Sequence, residues 1–252
     1  MYYKELLRVR SGVMVYALVI AIAAIVIMVI NAGAGMSPDA ATKAHTAAIP
    51  VVAIFAIAGV LAAILATVFG ASLNCDGDGH MELVGTRPIS RTGYALQVML
   101  IDVAGIVLAF LLTAGAAAIV ALFLAKRAVV WQFDSDFLAN ALRFSLFPLA
   151  WYAILQALTA GYRGRSGLAQ GLIWPIAFGM GVLSLVPLPA VWHSIFAALN
   201  VVNPFAYATY QMNAQGVASE VGIKVLVDAL ALAVLTVIGV LAATLQWKRV
   251  EA

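Results

Sequence analysis

Charged residues are scarce in this sequence. Asp, Glu, Lys and Arg together make up 10% of its 252 residues, whereas about 25% is usual for a soluble globular domain. Hydrophobic residues make up 65%, and the mean hydropathy is +1.05. The chain therefore has too little polar surface to cover a soluble particle of its size. This excludes an intrinsically disordered chain, a collagen-like fibre, a nucleic-acid-binding domain and an ordinary cytosolic enzyme.

Cysteine and the common catalytic motifs are also scarce or absent. Cys75 is the single cysteine, which excludes an intrachain disulfide, a multi-cysteine metal site and an iron–sulfur cluster. No phosphate-binding loop is present, because Gly79 and Gly85 have the wrong spacing and no lysine follows them. The H-E-x-x-H and G-x-S-x-G motifs are missing as well. The sequence predicts no catalytic, cofactor-binding or metal-binding residue on this chain.

Long apolar runs are the dominant feature of the sequence. About 20 apolar residues span the hydrocarbon core of a bilayer as a helix. We therefore predict an all-α polytopic membrane protein with six transmembrane helices, in which residues 1–252 form a single transmembrane domain. Pro50 would lie in the first turn of the second span, where proline is tolerated, and Pro148 would kink the fourth. The predicted spans cover residues 13–30, 47–73, 95–125, 142–160, 168–186 and 223–245.

The segments between the spans differ in character. Residues 1–12 predict an amphipathic helix at the membrane surface, with Lys4, Glu5 and Arg8 on its polar side. Residues 31–46 and 126–139 are predicted loops. Between spans five and six the chain is apolar but interrupted by prolines, which favours two short re-entrant helices that enter the outer face of the membrane over a soluble loop.

The distribution of basic residues predicts the orientation. Nine of the 14 lysines and arginines fall on the side that holds both termini, and the other five fall on the opposite side. Because cytoplasmic loops carry the excess of Lys and Arg, both termini are predicted to be cytoplasmic. We expect a multi-pass protein of the plasma membrane, in bacteria the inner membrane.

Besides Lys224, at the outer end of the sixth span, three charged residues fall inside the predicted spans. A charge at this depth costs roughly 2.5–3.5 kcal/mol on insertion scales. Arg143 and Asp228 lie at similar depth and could pair, either as a gate or substrate contact at the outer mouth or as a structural ion pair; snorkelling to the interface is the other structural interpretation. Asp102 lies deeper and has no evident partner, which favours a helix–helix hydrogen bond over a proton relay.

Residues 74–94 form the densest polar stretch, NCDGDGHMELVGTRPISRTGY. The DGDG sequence is typical of a turn, and HMELVGTRPISR is compatible with a short helix that Pro88 ends. Such a helix, joined directly to two spans, suits docking to a soluble partner. An ordinary cytoplasmic loop is the alternative.

An acidic, glycine-bearing turn followed by ELVGTRPISR and a span resembles the membrane subunits of ABC-2-type transporters. The N-terminal MYYKELLRVR is similar to the elbow helix of that family. The broken apolar segment ending in Asn203-Pro204-Phe205 is similar to its external re-entrant helices, and a final span ending in Trp247-Lys248-Arg249 is also common there.

The resemblance implies a permease without an ATPase site of its own. It would pair with a second membrane subunit, identical or homologous, and with two copies of an ATP-binding cassette subunit that bind ATP and Mg. The segment between spans two and three would be the coupling helix, with Asp78, Glu82, Arg87 and Arg91 at the ATPase contact. Export of a lipophilic or amphipathic substrate, in contact with membrane lipid and not with nucleic acid, is the expected activity.

Two other classes of function remain open at this point. An ion-coupled secondary transporter or channel would use the intramembrane residues Asp102, Arg143 and Asp228, and its transport would not depend on ATP. A membrane enzyme or a structural anchor is the third class, although no catalytic constellation supports an enzyme.

Overall fold

The computed structural model describes ten stretches of the chain. They are residues 2–34, 46–74, 90–125, 128–133, 136–159, 171–173, 175–177, 179–180, 189–208 and 222–251. Seven helices are given labels here: α1 (Tyr2–Ala34), α2 (Val51–Asn74), α3 (Arg91–Ala125), α4 (Phe137–Thr159), α5 (Ala190–Asn200), α6 (Pro204–Tyr207) and α7 (Gly222–Glu251). Two strands complete the labelled elements: β1 (Thr46–Pro50) and β2 (Ala128–Gln132).

Five of the helices are long and apolar enough to cross a membrane, namely α1, α2, α3, α4 and α7. This confirms the prediction of a helical polytopic membrane protein, and these helices cover the predicted spans one to four and six. The fifth predicted span, 168–186, is described only in part. Residues 171–173, 175–177 and 179–180 have helical backbone, and the rest of that span lies outside the described residues.

Two strands correct the predictions: β1 occupies the first four residues of the predicted second span, which were expected to be helical, and β2 lies within the predicted loop 126–139. β1 and β2 pair in parallel, from Thr46 opposite Ala128 to Pro50 opposite Gln132. Val129 and Val130 are β-branched and favour the extended chain. Pro50 ends β1 and is not within the first turn of the second span, because α2 begins only at Val51. A proline has no N–H for the ladder, so the last position of a short edge strand suits it.

Contacts between side chains give the direction of α1 and α3. Glu5 meets Tyr94 and Tyr16 meets Thr113, so both helices run the same way. α2 runs against them, because Phe55 lies against Phe110 whereas Phe69, further along α2, lies against the earlier residue Gly105.

The remaining long helices follow the direction of α2. Along α4, Trp151 donates a hydrogen bond to Thr67 of α2, and Gln156 donates one to the carbonyl of Gly70. Arg143 of α4 lies against Asp228 of α7, and the carbonyl of Ala157, later on α4, accepts a hydrogen bond from Gln246, later on α7. α2, α4 and α7 are therefore parallel, and β1 and β2 lie at the end of the bundle where α2 and α4 begin. We call this the strand end and the opposite end, where α1 and α3 begin, the α1 end.

Helix α4 forms the centre of the bundle. Phe144, Phe147, Trp151, Tyr152 and Leu155 are at most 1% exposed. The neighbouring helices approach closely at glycines. A Cβ at Gly59 of α2 would lie 2.6 Å from the carbonyl oxygen of Phe144, and one at Gly239 of α7 would lie 2.7 Å from the carbonyl carbon of Ala153. Glycine therefore sets the spacing on both sides of α4.

Residues 2–12 are helical, as predicted, but they continue into the first span within the single helix α1. The expected amphipathic helix is thus not a separate element in this structure. Its apolar side, including Tyr3 and Leu6, is exposed, whereas Glu5 on its polar side is only 9% exposed. Glu5 and Arg8 therefore face the bundle, whereas Lys4 is exposed.

Candidate functional site

Two buried polar clusters are the candidate sites of this bundle. The first, the Asp102 cluster, consists of Glu5, Arg8, Tyr94, Asp102 and Tyr152. Asp102 is completely buried. A terminal guanidinium nitrogen of Arg8 lies 2.6 Å from Asp102 Oδ1, and the hydroxyl of Tyr152 donates a 2.7 Å hydrogen bond to Oδ2. The carboxylate thereby joins helices α1, α3 and α4.

Glu5 and Tyr94 complete the cluster on the side nearer the α1 end. The Tyr94 hydroxyl donates to Glu5 Oε1 over 2.8 Å, and the other carboxylate oxygen lies 2.9 Å from Arg8 Nε. Arg8 thus lies between two carboxylates, one on its own helix and one on α3. Glu5 and Arg8 occupy the same face of α1 because residues three apart are neighbours on a helix.

Small residues allow α1 and α3 to bring these charges together. A Cβ at Gly105 would lie 2.6 Å from Val9 Cγ1, and one at Gly12 would lie 2.7 Å from the ring of Phe69. Both glycines lie within one or two turns of the Arg8–Asp102 pair. The expectation that Asp102 has no partner is therefore wrong: its partner is 94 residues away, on a segment predicted to lie at the membrane surface.

The arrangement favours a structural role for Asp102 over a proton relay. Donors occupy both oxygens of Asp102, so the helix–helix hydrogen bond expected for this residue is present. A buried carboxylate needs such partners, because an unpaired charge in the bundle is strongly unfavourable. The cluster accordingly holds three helices in one register near the α1 end.

The second cluster, the Arg143 cluster, lies near the strand end. A terminal nitrogen of Arg143 is 3.5 Å from Asp228 Oδ2, so the predicted pairing of these residues is confirmed. Arg143 has no exposed surface, and its guanidinium carbon lies 4.9 Å from the ring centre of Phe144. Burial of the guanidinium supports an ion pair within the bundle over snorkelling towards water.

Two polar residues next to this pair were missed by sequence reasoning. Asn140, one turn before Arg143, is 2% exposed, and its Oδ1 accepts no hydrogen bond from the described residues. Tyr207 of α6 donates a hydrogen bond to the carbonyl of Val201. Its pKa is raised by burial and, to a lesser extent, by the nearby carboxylate of Asp228. The spacing of Asn140 and Arg143 along one helix face was the available signal.

Asn203 connects the short helices to the bundle. Its Oδ1 accepts a 3.1 Å hydrogen bond from the backbone N–H of Phe205 and so caps α6, and its Nδ2 donates to the carbonyl of Ala177. The Phe205 ring packs edge-on against Phe147 and Trp151 of α4. The Asn203-Pro204-Phe205 sequence therefore forms a docked corner beside α4.

The two clusters lie at opposite ends of the bundle. The Asp102 cluster is near the starts of α1 and α3, and the Arg143 cluster is near the starts of α4 and α7, which run the other way. The structure therefore brings Arg143 and Asp228 together but separates both from Asp102.

Most of the residues expected at an ATPase contact cannot be placed. Asp78, Glu82 and Arg87 lie outside the described residues, and Arg91 is the first residue of α3. Within the described stretches, no three His, Cys, Asp or Glu side chains cluster as metal ligands.

Comparison with known proteins identifies no relative. No family model, no curated protein and no solved structure matches this chain.

Proposed function

We propose that this chain is the membrane subunit of an ATP-driven ABC-2-type transporter. In this proposal two copies of an ATP-binding cassette subunit carry ATP and Mg, and a second membrane subunit, identical or homologous, completes the transport unit. The substrate is lipophilic or amphipathic and is exported. This chain supplies the path and no ATPase site.

The observation that carries the proposal is the connection of the polar segment 75–90 to the Asp102 cluster. α2 ends at Asn74 and α3 begins at Arg91, so this segment is joined directly to two long helices. Asp102, three turns into α3, is tied to Arg8 of α1 and Tyr152 of α4. A displacement at the start of α3 would therefore reach α1 and α4 as well, which is what a coupling segment requires.

The directions of the helices support six spans. α4 and α7 are parallel, so the chain between them has to cross the bilayer an odd number of times. The helical backbone within 171–180 suits one such crossing as the fifth span. Six spans would put both termini on one side, and the excess of Lys and Arg favours the cytoplasmic side of the plasma membrane.

The short helices α5 and α6 support the proposal of re-entrant helices between the fifth and sixth spans. α5 is only 11 residues long, which is too short to span a bilayer. α6 follows it and places Phe205 against Phe147 and Trp151, near the middle of α4, while Tyr207 lies close to Asp228 in the first turns of α7. The proposal assigns the strand end, where α4 and α7 begin, to the outer face. Two short helices at this position suit re-entrant elements shielded by the bundle.

Charge reversal in the polar segment tests the proposal. The chain is coexpressed with the P-loop ATPase encoded nearest to its gene, and the two are copurified. We expect Glu82→Lys or Arg87→Glu to abolish copurification, because either change reverses a charge at the proposed contact. Lys126→Glu, on the side predicted to face outward, is the matched control and should leave copurification intact. If the wild-type chain retains no ATPase and stimulates none, the proposal is wrong.

The ion-coupled alternative receives less support from the geometry. Such a carrier needs polar groups that form a continuous path, but Asp102 lies at the opposite end of the bundle from Arg143 and Asp228. It predicts that Asp102→Asn abolishes uptake driven by an ion gradient alone. Transport that requires ATP would contradict this alternative.

A further inference from the structure

An apolar groove lies between α1, α2 and α3 in the half of the bundle nearer the strand end. Its volume is about 330 Å³, close to the lower limit of roughly 300–1,000 Å³ for ligand pockets. Ile20 and Ile27 of α1, Ile54 and Leu61 of α2, and Val120 of α3 contribute to its walls. Residues 49 and 50 of β1 also line it, at the strand end.

The groove exists because α1 separates from the bundle beyond the Asp102 cluster. Val9 and Val13 are 7% exposed, but Ile27, which lines the groove further along the same face of α1, is 43% exposed. Alanines on both facing helices, such as Ala24 of α1 and Ala117 of α3, leave the space between them unfilled. The opening therefore follows from the direction of α1 and from the small side chains that face it.

The walls offer no group that would orient a polar ligand. Thr113 contributes the single polar side chain among the lining residues. Its hydroxyl donates to the carbonyl of Ala109 over 2.8 Å and lies 2.7 Å from the hydroxyl of Tyr16, which can donate to it. Hydrogen bonding at this position is thus satisfied within the protein. An ion, a sugar or a peptide backbone would lose its hydration in the groove without compensation.

We propose that this groove holds one hydrocarbon chain of a membrane lipid. The groove lies among helices that cross the bilayer, so the surrounding medium is hydrocarbon and not water. An empty space of this size would forfeit dispersion contacts along every wall, and an apolar cavity gains nothing from water. An unbranched chain that enters from the bilayer restores those contacts. This inference does not depend on the transport proposal.

Photocrosslinking locates the chain. The purified full-length protein is placed in nanodiscs of phosphatidylglycerol that carries a diazirine near the end of one acyl chain, and crosslinked peptides are mapped by mass spectrometry. We expect crosslinks concentrated on the groove faces of residues 20–27, 53–61 and 113–124. Lipid retained through detergent purification is measured in parallel.

Two pairs of variants make the test specific. Ala117→Phe and Ala24→Phe fill the groove, whereas Ala104→Phe and Ala21→Phe place the same side chain on exposed positions of the same helices. Filling the groove should reduce its crosslinks to the level of the exposed helix faces and remove the retained lipid. The two control variants should preserve both signals.

Three results would overturn the inference. One is uniform crosslinking over exposed and groove-facing residues of the wild-type protein. Another is unchanged crosslinking in both filled variants, each shown to be folded by its elution profile and circular dichroism. The third is a wild-type protein whose groove residues take up fewer lipid crosslinks than its exposed helix faces.

Discussion

A guanidinium nitrogen of Arg8 lies 2.6 Å from Oδ1 of Asp102, a carboxylate with no exposed surface. The contact ties the first turns of α1 to a position three turns into α3, and Tyr152 extends it to α4. Three helices whose sequences are separated by long segments therefore share one charged group. The order of the bundle near the α1 end depends on this pair.

Removing one member of the pair should destabilise the protein more than removing both. Arg8→Met or Asp102→Leu alone leaves a charge without its principal partner and should cost about 3–5 kcal/mol. The double variant carries neither charge and should recover part of that loss, but not all of it, because Glu5 also loses Arg8 and keeps the hydrogen bond from Tyr94. Unfolding in mixed micelles, followed by circular dichroism, measures the three free energies.

Arg10→Met serves as the control for that cycle, because Arg10 is an exposed residue of the same helix. Its stability should lie within about 0.5 kcal/mol of the wild type, as is usual for surface changes. Additive losses in the double variant would show that Arg8 and Asp102 contribute independently, contrary to this interpretation.

Substitution by alanine should change the stability at Gly239, which contacts α4, much more than at Gly115. Gly239→Ala would place a methyl group 2.7 Å from the backbone of Ala153, which cannot move aside as a side chain can. We expect a loss of about 1–3 kcal/mol from overpacking. Gly115 has no atom within 4 Å of its added Cβ, so Gly115→Ala should be neutral or stabilise by about 0.5–1 kcal/mol. Thermal unfolding in detergent compares the two; equal midpoints would contradict the packing argument.

Asn203 should stabilise the fold through two contacts, the cap of α6 and the hydrogen bond to Ala177, which two substitutions can separate. Asn203→Ala removes the α6 cap and the hydrogen bond to the carbonyl of Ala177, with an expected cost of about 1–3 kcal/mol. Asn203→Asp retains the capping oxygen but has no amide donor for that carbonyl. Its stability should therefore fall between those of the wild type and Asn203→Ala, measured by the same unfolding experiment. An aspartate variant as stable as the wild type would mean that the Ala177 contact contributes little.

The strand end and the end of α7 should face opposite sides of the membrane. In a Cys75→Ser background, single cysteines are introduced as Phe133→Cys, after β2, and Lys248→Cys, near the end of α7. Both positions are exposed. A membrane-impermeant maleimide added to intact cells should label position 133 only, because we propose from the excess of Lys and Arg that the termini face the cytoplasm. Permeabilised cells should show label at both positions, and the reverse pattern in intact cells would invert the proposed orientation.

The sequence predicted the long helices well and their contacts poorly. Apolar runs located α1, α2, α3, α4 and α7 to within a few residues at most ends. The same reasoning missed β1 and β2, since five-residue strands at the edge of an apolar helix have no distinct pattern. The pairing of Arg143 with Asp228 could be predicted from the sequence because both residues were expected at the same depth in the membrane.

The partner of Asp102 could not be predicted from the sequence in this way. Arg8 precedes the first apolar run and was assigned to a helix at the membrane surface, so its depth was not comparable with that of Asp102. The close contacts of glycines could not be predicted either. Gly59 and Gly239 lie against the backbone of α4, whereas Gly115 has no atom near its Cβ position, and the sequences around the three do not distinguish them. Such contacts depend on which helix faces which.

The sequence by itself determined that this chain crosses a membrane several times, because the transfer of about 20 consecutive apolar residues into hydrocarbon is a property of each segment alone. The tertiary structure decided which helices run together, where α1 leaves the bundle to open the apolar groove, and which partner neutralises Asp102. These outcomes depend on the directions and spacings of several helices at once, which no single segment encodes.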